Sequence, residues 1–200
     1  MQTQTFKSLL EELDGTLKNY NMQDYEKLQS PLPDKEIDEY LRELKINDEN
    51  LKALFRWKNG EKENSYCQMM EYGGLQSLKS IKESQSSFKL YDPLLIEIIT
   101  DNGEESILFN NKPGTHYGKL YMYSVPQLYI EQPISYFDSL EAMVKTIIEG
   151  YKEKAFKRKT QKKRLHIDYD KFAAIAKKIN KKSAYWKKHN PLKPEEWYEI

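Results

Sequence analysis

Near the start of the chain, apolar residues recur at helical spacing. Phe6, Leu9, Leu10, Leu13, Leu17 and Tyr20 form one stripe within residues 3–28. The pattern predicts a leading amphipathic helix with Gly15 as its weak point. "SPLPDKEIDEYLREL" follows: Pro31 and Pro33 favour an extended approach, and Asp34 is placed to cap a helix carrying Ile37, Leu41 and Leu44. In "NDENLKALFRWKNG", Asn47 or Asp48 can cap a third helix that turns Leu51, Leu54 and Phe55 inward. Asn59-Gly60 accepts left-handed backbone and predicts its exit.

The middle of the chain changes period. "NSYCQMMEYGG" reads as a short strand turning at Gly73-Gly74, and Leu75, Leu78 and Ile81 suggest a brief helical or turning element. Leu94 to Thr100 and Ser106 to Phe109 read as paired strands joined around Asn102-Gly103. "KLYMYSV" is a further strand, and Pro126 and Pro133 bracket "QLYIEQ" as a short edge strand. Helical spacing returns with Phe137, Leu140, Met143, Val144, Ile147 and Ile148, for which Asp138 or Ser139 can supply the cap. The order predicts an α+β fold: amino-terminal helices, a central mostly antiparallel sheet and a closing helix, without repeated βαβ units. A basic run then reads as a solvent-facing connection. Beyond it Asp168 or Asp170 can cap a last helix with an apolar face of Phe172, Ile175, Ala176 and Ile179. The expected division is a body over residues 1–151 and a basic helical extension over 152–200, packed on the body or appended to it and too short for an independent core.

Charge sharpens that division. The net charge is only +1, but residues 1–150 carry 16 Lys and Arg against 25 Asp and Glu, a net of −9, and residues 151–200 carry 16 against 6, a net of +10. The two parts can attract opposite partners or each other. With 15 tyrosines, 7 phenylalanines and 3 tryptophans, the chain has ample aromatic area for a core. No charged leader with an apolar run opens the sequence, and no stretch reaches bilayer length. The lone Cys67 precludes an intramolecular disulfide and fits a reducing compartment. The expectation is a cytoplasmic protein with no membrane association.

Candidate chemistry is sparse. His116, His166 and His189 are widely spaced, and Cys67 has no second cysteine near it, so no metal-ligand spacing is visible. A Cys67–His116 nucleophilic pair oriented by Asp101 is conceivable, but a cysteine packed against the sheet explains "SYCQMM" more simply. Adjacent acids such as Glu104 and Glu105 do not supply the fixed separation that glycoside hydrolysis needs, and "EYGGLQS" is a turn without a phosphate-binding lysine. The reading is non-enzymatic, with no cofactor. The basic end supports an alternative of nucleic-acid binding through Lys157, Arg158, Lys159, Lys162, Lys163 and Arg164, with Tyr185 or Trp186 stacking on a base.

The segments near Leu32-Pro33, Ile37, Leu41, Ile46 and "ENLKALFRWKNG", then "PLLIEIITDNGEESILFNN", then "PISYFDSLEAMVKTIIEGY", together resemble the Smi1/Knr4 family, the SUKH superfamily, over residues 28–151. The resemblance implies a central hairpin, a strand-to-helix closure and a protein-binding domain. Bacterial members include immunity proteins that neutralise toxins, commonly nucleases, by direct binding, and fungal members act in cell-wall and signalling regulation. "EKENSYCQMMEYGG" departs from the family's usual segment after Asn-Gly. An immunity protein would cover a toxin's basic groove with acidic and aromatic groups. Acid and aromatic presentation in this sequence suggests Glu61, Glu63, Glu71, Tyr72, Asp101, Glu104, Glu105 and Tyr117 as contact residues. Trp57 has two readings: a helix-end plug over the sheet, or a partner anchor flanked by Glu61 and Glu63.

Overall fold

In the computed structural model, residues 5–63, 65–70, 73–87, 93–101, 105–124, 133–158 and 165–187 are described. Thr5 starts the first helix, α1 (Phe6–Tyr20), by accepting the Ser8 N–H on its hydroxyl. Phe6, Leu9, Leu10, Leu13 and Leu17 are buried on its inner face, as their spacing requires. Gly15 does not break it; the helix ends instead at Asn21, short of the expected residue 28. The Asn21 side chain donates to the Gln68 carbonyl (3.0 Å) and the Tyr151 hydroxyl (2.9 Å), which holds its backbone out of the helical region before α2 (Met22–Tyr25) resumes.

In α3 (Asp34–Glu43), the cap position is Pro33 and not Asp34. Asp34 lies in the first turn, and its carboxylate takes Arg56 at 2.9 Å. Asp48 caps α4 (Glu49–Trp57) by accepting the Leu51 N–H at 2.8 Å, and Leu51, Leu54 and Phe55 are buried. Gly60 alone takes the left-handed conformation at the exit, with φ +76°.

The expected strand in "NSYCQMM" is not formed: residues 65–68 carry no regular structure, and the pairing segment is only β1 (Gly74–Leu75). Next come α5 (Leu78–Ser87), β2 (Leu95–Thr100), β3 (Glu105–Asn110), β4 (Leu120–Ser124) and β5 (Ile134–Phe137). These strands make an antiparallel meander in the order β1-β2-β3-β4-β5. The turn at Asn102-Gly103 and the proposed "QLYIEQ" strand lie outside the described residues. An irregularity between Glu97 and Ile99 shifts the β2–β3 register, so Ile96, Ile98 and Ile99 all enter the main core. Leu95, Leu108, Tyr121 and Tyr123 make a second, smaller cluster.

Ser139 caps the closing helix α6 (Leu140–Lys152) by accepting the Ala142 N–H at 3.2 Å. Beyond it the basic run is not merely a connection. β6 (Phe156–Arg158) and β7 (Leu165–Ile167) form an antiparallel pair, a correction to the sequence reading. Alternating Leu165 and Ile167 are buried, and the Leu165 N–H donates to the buried Gln68 side chain at 2.9 Å. Asp168 caps α7 (Tyr169–Ile179), and α8 (Ala184–Lys187) is the last described element.

The extension shares the body's core. Phe156, Leu165, Ile167, Phe172, Ala176 and Trp186 belong to the same buried cluster as the side chains of α1, α4 and the sheet. A series of ring contacts crosses the 151/152 boundary: Tyr20–Tyr151 (6.3 Å), Tyr151–Phe156 (5.1 Å), Phe156–Phe172 (5.1 Å), Phe172–Trp186 (5.7 Å) and Trp186–Tyr136 (4.7 Å). Asn180 interrupts what the sequence suggested was one continuous final helix. Its fully buried side chain accepts the Asp138 N–H (3.1 Å) and donates to Thr146 Oγ1 and the Ala176 carbonyl (both 3.0 Å). The chain is thus α+β, with amino-terminal helices, a central antiparallel sheet and a helical carboxy-terminal region.

Candidate functional site

The Asn59-Gly60 exit joins three parts of the chain. Gly60 accepts the Gln29 N–H on its carbonyl at 2.8 Å, and the Glu61 N–H donates to Leu75 O at 2.9 Å. Buried Asn59 accepts the N–H of Leu78, the first residue of α5, at 3.2 Å. A side chain at Gly60 would fall inside the Gln76–Ser77 backbone. Asn59-Gly60 therefore ends α4, pairs with the segment before α3 and starts α5.

This junction opens a cleft of about 700 Å³ between α3, α5 and the segment 59–65. Glu36 and Tyr40 come from α3, Glu61 and Glu63 from the segment, and Lys79 and Glu83 from α5. Four lining carboxylates face two ammonium groups. One of the two, Lys62, donates to the Glu26 carbonyl at 2.7 Å, and Lys79 lies 3.7 Å from Glu63. The surplus is negative. Such an open, polar recess suits the cationic side chains of a protein partner better than an apolar small molecule.

Glu61 is partly an internal brace. Its Oε2 accepts the Cys67 N–H at 2.7 Å, and the carboxyl occupies the space a Gly74 side chain would need. Burial pushes its carboxyl above the usual range, and the nearby Asp101 and Asp24 carboxylates push the same way against the Cys67 N–H and Lys27. Glu63 is exposed on the cleft rim. Asp101 and Glu105 are half-buried at one end of the β2–β3 pair, where the Asp101 N–H donates to Glu105 O at 2.8 Å. Tyr117 belongs to the loop after the opposite end of β3, about 16 Å away by strand rise. Its hydroxyl contacts Asp48 Oδ2 at 3.0 Å, and burial together with the Asp48 charge pushes the phenol up to about 12. Of the expected contact residues that are described, Glu61 and Glu63 share the cleft, Asp101 is close enough to act on Glu61, and Tyr117 is not among the cleft's lining residues. Glu71, Tyr72 and Glu104 lie outside the described residues. Glu36 and Glu83 were missed because each reads as an ordinary acid on the polar side of its own helix.

The Trp57 indole N–H donates to Asp14 Oδ1 at 3.0 Å, and the half-buried ring packs against the main core. It braces α4 against α1 through this bond, as a helix-end plug would. Asp14 also takes Tyr25 OH (2.8 Å) and Lys18 Nζ (2.7 Å). Partial burial opposes its charge, but the hydrogen bonds from Lys18, Tyr25 and Trp57 prevail and hold the carboxyl below its usual range.

Cys67 is fully buried with its thiol 3.2 Å from the Asp24 carbonyl, while His116 is on an exposed loop. Of the proposed phosphate contacts, Lys157 is exposed on β6. Arg158 belongs to β6, but its side chain lies outside the described structure, as do Lys159, Lys162, Lys163 and Arg164 entirely. Trp186 cannot stack on a base as suggested: it is 5% exposed, and its indole N–H donates to the Tyr136 carbonyl at 2.6 Å. Among the described residues, no cluster of His, Cys, Asp and Glu is arranged to hold a metal ion. No helix among them is long and apolar enough to cross a membrane. No known protein-family model matches the chain, and no curated protein matches it.

Proposed function

We propose that the chain is a non-enzymatic protein-binding module of the Smi1/Knr4 kind, an intracellular immunity protein of the cytoplasm that neutralises a nuclease-type toxin by one-to-one binding. The acid-rich cleft between α3 and α5 carries this reading. The order of helices, antiparallel meander and closing helix agrees with what the sequence resemblance implies. In the proposed mechanism, basic side chains around the toxin's substrate groove enter the cleft and meet Glu36, Glu63 and Glu83. Occupation of the groove then keeps nucleic acid out, with no covalent step and no cofactor.

The test is capture from a nuclease-treated native lysate by the full chain and by a Glu36→Lys/Glu63→Lys/Glu83→Lys variant. Retention of one protein in near-equal amount by the unaltered chain, and its loss with the variant, is expected. Equal retention by both, or no retained protein, would reject the reading.

A further inference from the structure

At the amino-terminal end of α6, three lysines come near Asp138. Lys119 immediately precedes β4, whose Leu120 pairs with Phe137 of β5, and Asp138 follows directly. The turn between α7 and α8 is fastened to this point. Asp138 accepts the Lys182 N–H at 3.0 Å and the Ser183 hydroxyl at 2.8 Å, and its own N–H donates to Asn180. The Ala184 N–H donates to Ser135 Oγ at 2.8 Å and Trp186 to Tyr136 O, which fixes α8 and brings Lys187 to the same place.

We propose that Lys119, Lys182 and Lys187 form a phosphate-binding site for the backbone of a nucleic acid strand. Lys119 is half-buried, and among the described residues none of the three ammonium groups has an ion-pair partner. Burial lowers the Lys119 pKa, and the charges of Lys187 and Lys182 lower it further, against the single opposing carboxylate of Asp138. Three cations around one carboxylate leave a positive excess that an incoming anion relieves.

The anion is a polymer. Lys177 in α7 and Lys181 in the turn after it are exposed as well, so the positive charge is spread over α7, that turn and α8. A single phosphate cannot meet charges so spread, whereas successive backbone phosphates can. Lysines, as point charges without the bidentate fork of arginine, suit contacts that tolerate any sequence. The half-buried Tyr185 ring of α8 lies 4.9 Å from Tyr136 and 4.7 Å from Trp186. This site is separate from the acidic cleft and independent of it. It also differs from the basic run at 157–164, because Lys119 belongs to the body and only folding brings it to the other two.

The experiment is fluorescence anisotropy of the full chain with labelled single-stranded RNA and DNA of roughly 20 nucleotides, across about 50–200 mM salt. Lys119→Gln/Lys182→Gln/Lys187→Gln is expected to weaken binding at least about tenfold and to reduce the slope of log affinity against log salt by about 2. Lys182→Gln/Lys187→Gln, which alters only exposed side chains, should reduce that slope by about 1 even if the triple variant folds poorly. No binding by the unaltered chain, or an unchanged slope in the double variant, would overturn the proposal. So would a loss confined to a Lys157→Gln/Lys159→Gln/Lys162→Gln/Lys163→Gln variant. Displacement of the oligonucleotide by polyglutamate at equal charge would show a general ion exchanger and overturn it as well.

Discussion

Replacing Asn180 by Ala tests whether the extension is part of the body's cooperative core. The side chain is fully buried and bonds at three points: Asp138 just before α6, Thr146 within α6 and Ala176 in α7. The substitution removes three hydrogen bonds, each worth about 1 kcal/mol net. Thr146 retains its own bond to the Ala142 carbonyl at 2.7 Å, so its hydroxyl is not stranded. The Asp138 N–H loses its acceptor in a half-buried position, where water compensates only in part. The expected loss is therefore about 3 kcal/mol. Urea unfolding followed by far-ultraviolet circular dichroism and by tryptophan fluorescence measures it. Both probes should shift together with unchanged m-value, because Trp186 and the body share one cluster. A loss below about 1 kcal/mol would refute the hydrogen-bond reasoning. An early fluorescence transition that leaves the circular dichroism of the body unmoved would refute the shared core.

Three further substitutions probe the junction and its surroundings. Gly60→Ala should cost more than about 2 kcal/mol in denaturant unfolding, since it combines a positive φ with a collision against the Gln76–Ser77 backbone. Glu61→Gln keeps an acceptor for the Cys67 N–H while removing a charge disfavoured by burial. Because the folded-state pKa of Glu61 is raised, its stabilising contribution is complete below the ordinary carboxylate range and is lost as pH rises through the raised value. The Gln variant should therefore match or exceed the unaltered chain in melting temperature near neutrality and lose that advantage in acid. Trp57→Phe should cost about 1 kcal/mol through the lost bond to Asp14. The lowered Asp14 pKa adds stability above the ordinary range that is lost as pH falls through the folded value, so this variant should also show a shallower acid limb in a pH–stability profile.

The elements readable from sequence are those whose signals are local. Asp48, Ser139 and Asp168 each cap the helix that follows them, and the apolar spacing of α1, α4 and α6 gives their buried faces directly. β2 stands out as a β-branched run, and β3 as a short apolar run of Ile107, Leu108 and Phe109. Asn21 and Asn180 show why other boundaries were hidden. Neither residue stops a helix by itself, and each is held by partners far along the chain, Tyr151 for Asn21 and Asp138 for Asn180. The β6–β7 pair was hidden for a related reason. A run of lysines reads as solvent-facing, and its strand character comes from Phe156, Leu165 and Ile167 entering a core built by other elements.

The cleft was half legible. The Asn-Gly exit placed Glu61 and Glu63 near a structural corner, but Glu36 and Glu83 join them only because α3 and α5 meet across it. The compositional boundary at 151/152 was visible as a change of charge, although aromatic packing crosses it without a break. Truncation after Tyr151 would remove Phe156, Phe172 and Trp186 from the core and expose what they cover. Point substitutions at the cleft are therefore the sound test of the proposed binding surface.

The most direct measurement is calorimetric titration of the captured protein partner with the unaltered chain and with Glu36→Lys/Glu63→Lys/Glu83→Lys. One-to-one binding that weakens by at least about 100-fold in the variant is expected, because like charges placed across an interface cost several kcal/mol. Affinity that is unchanged by the three reversals would contradict the acidic cleft as the partner's binding site.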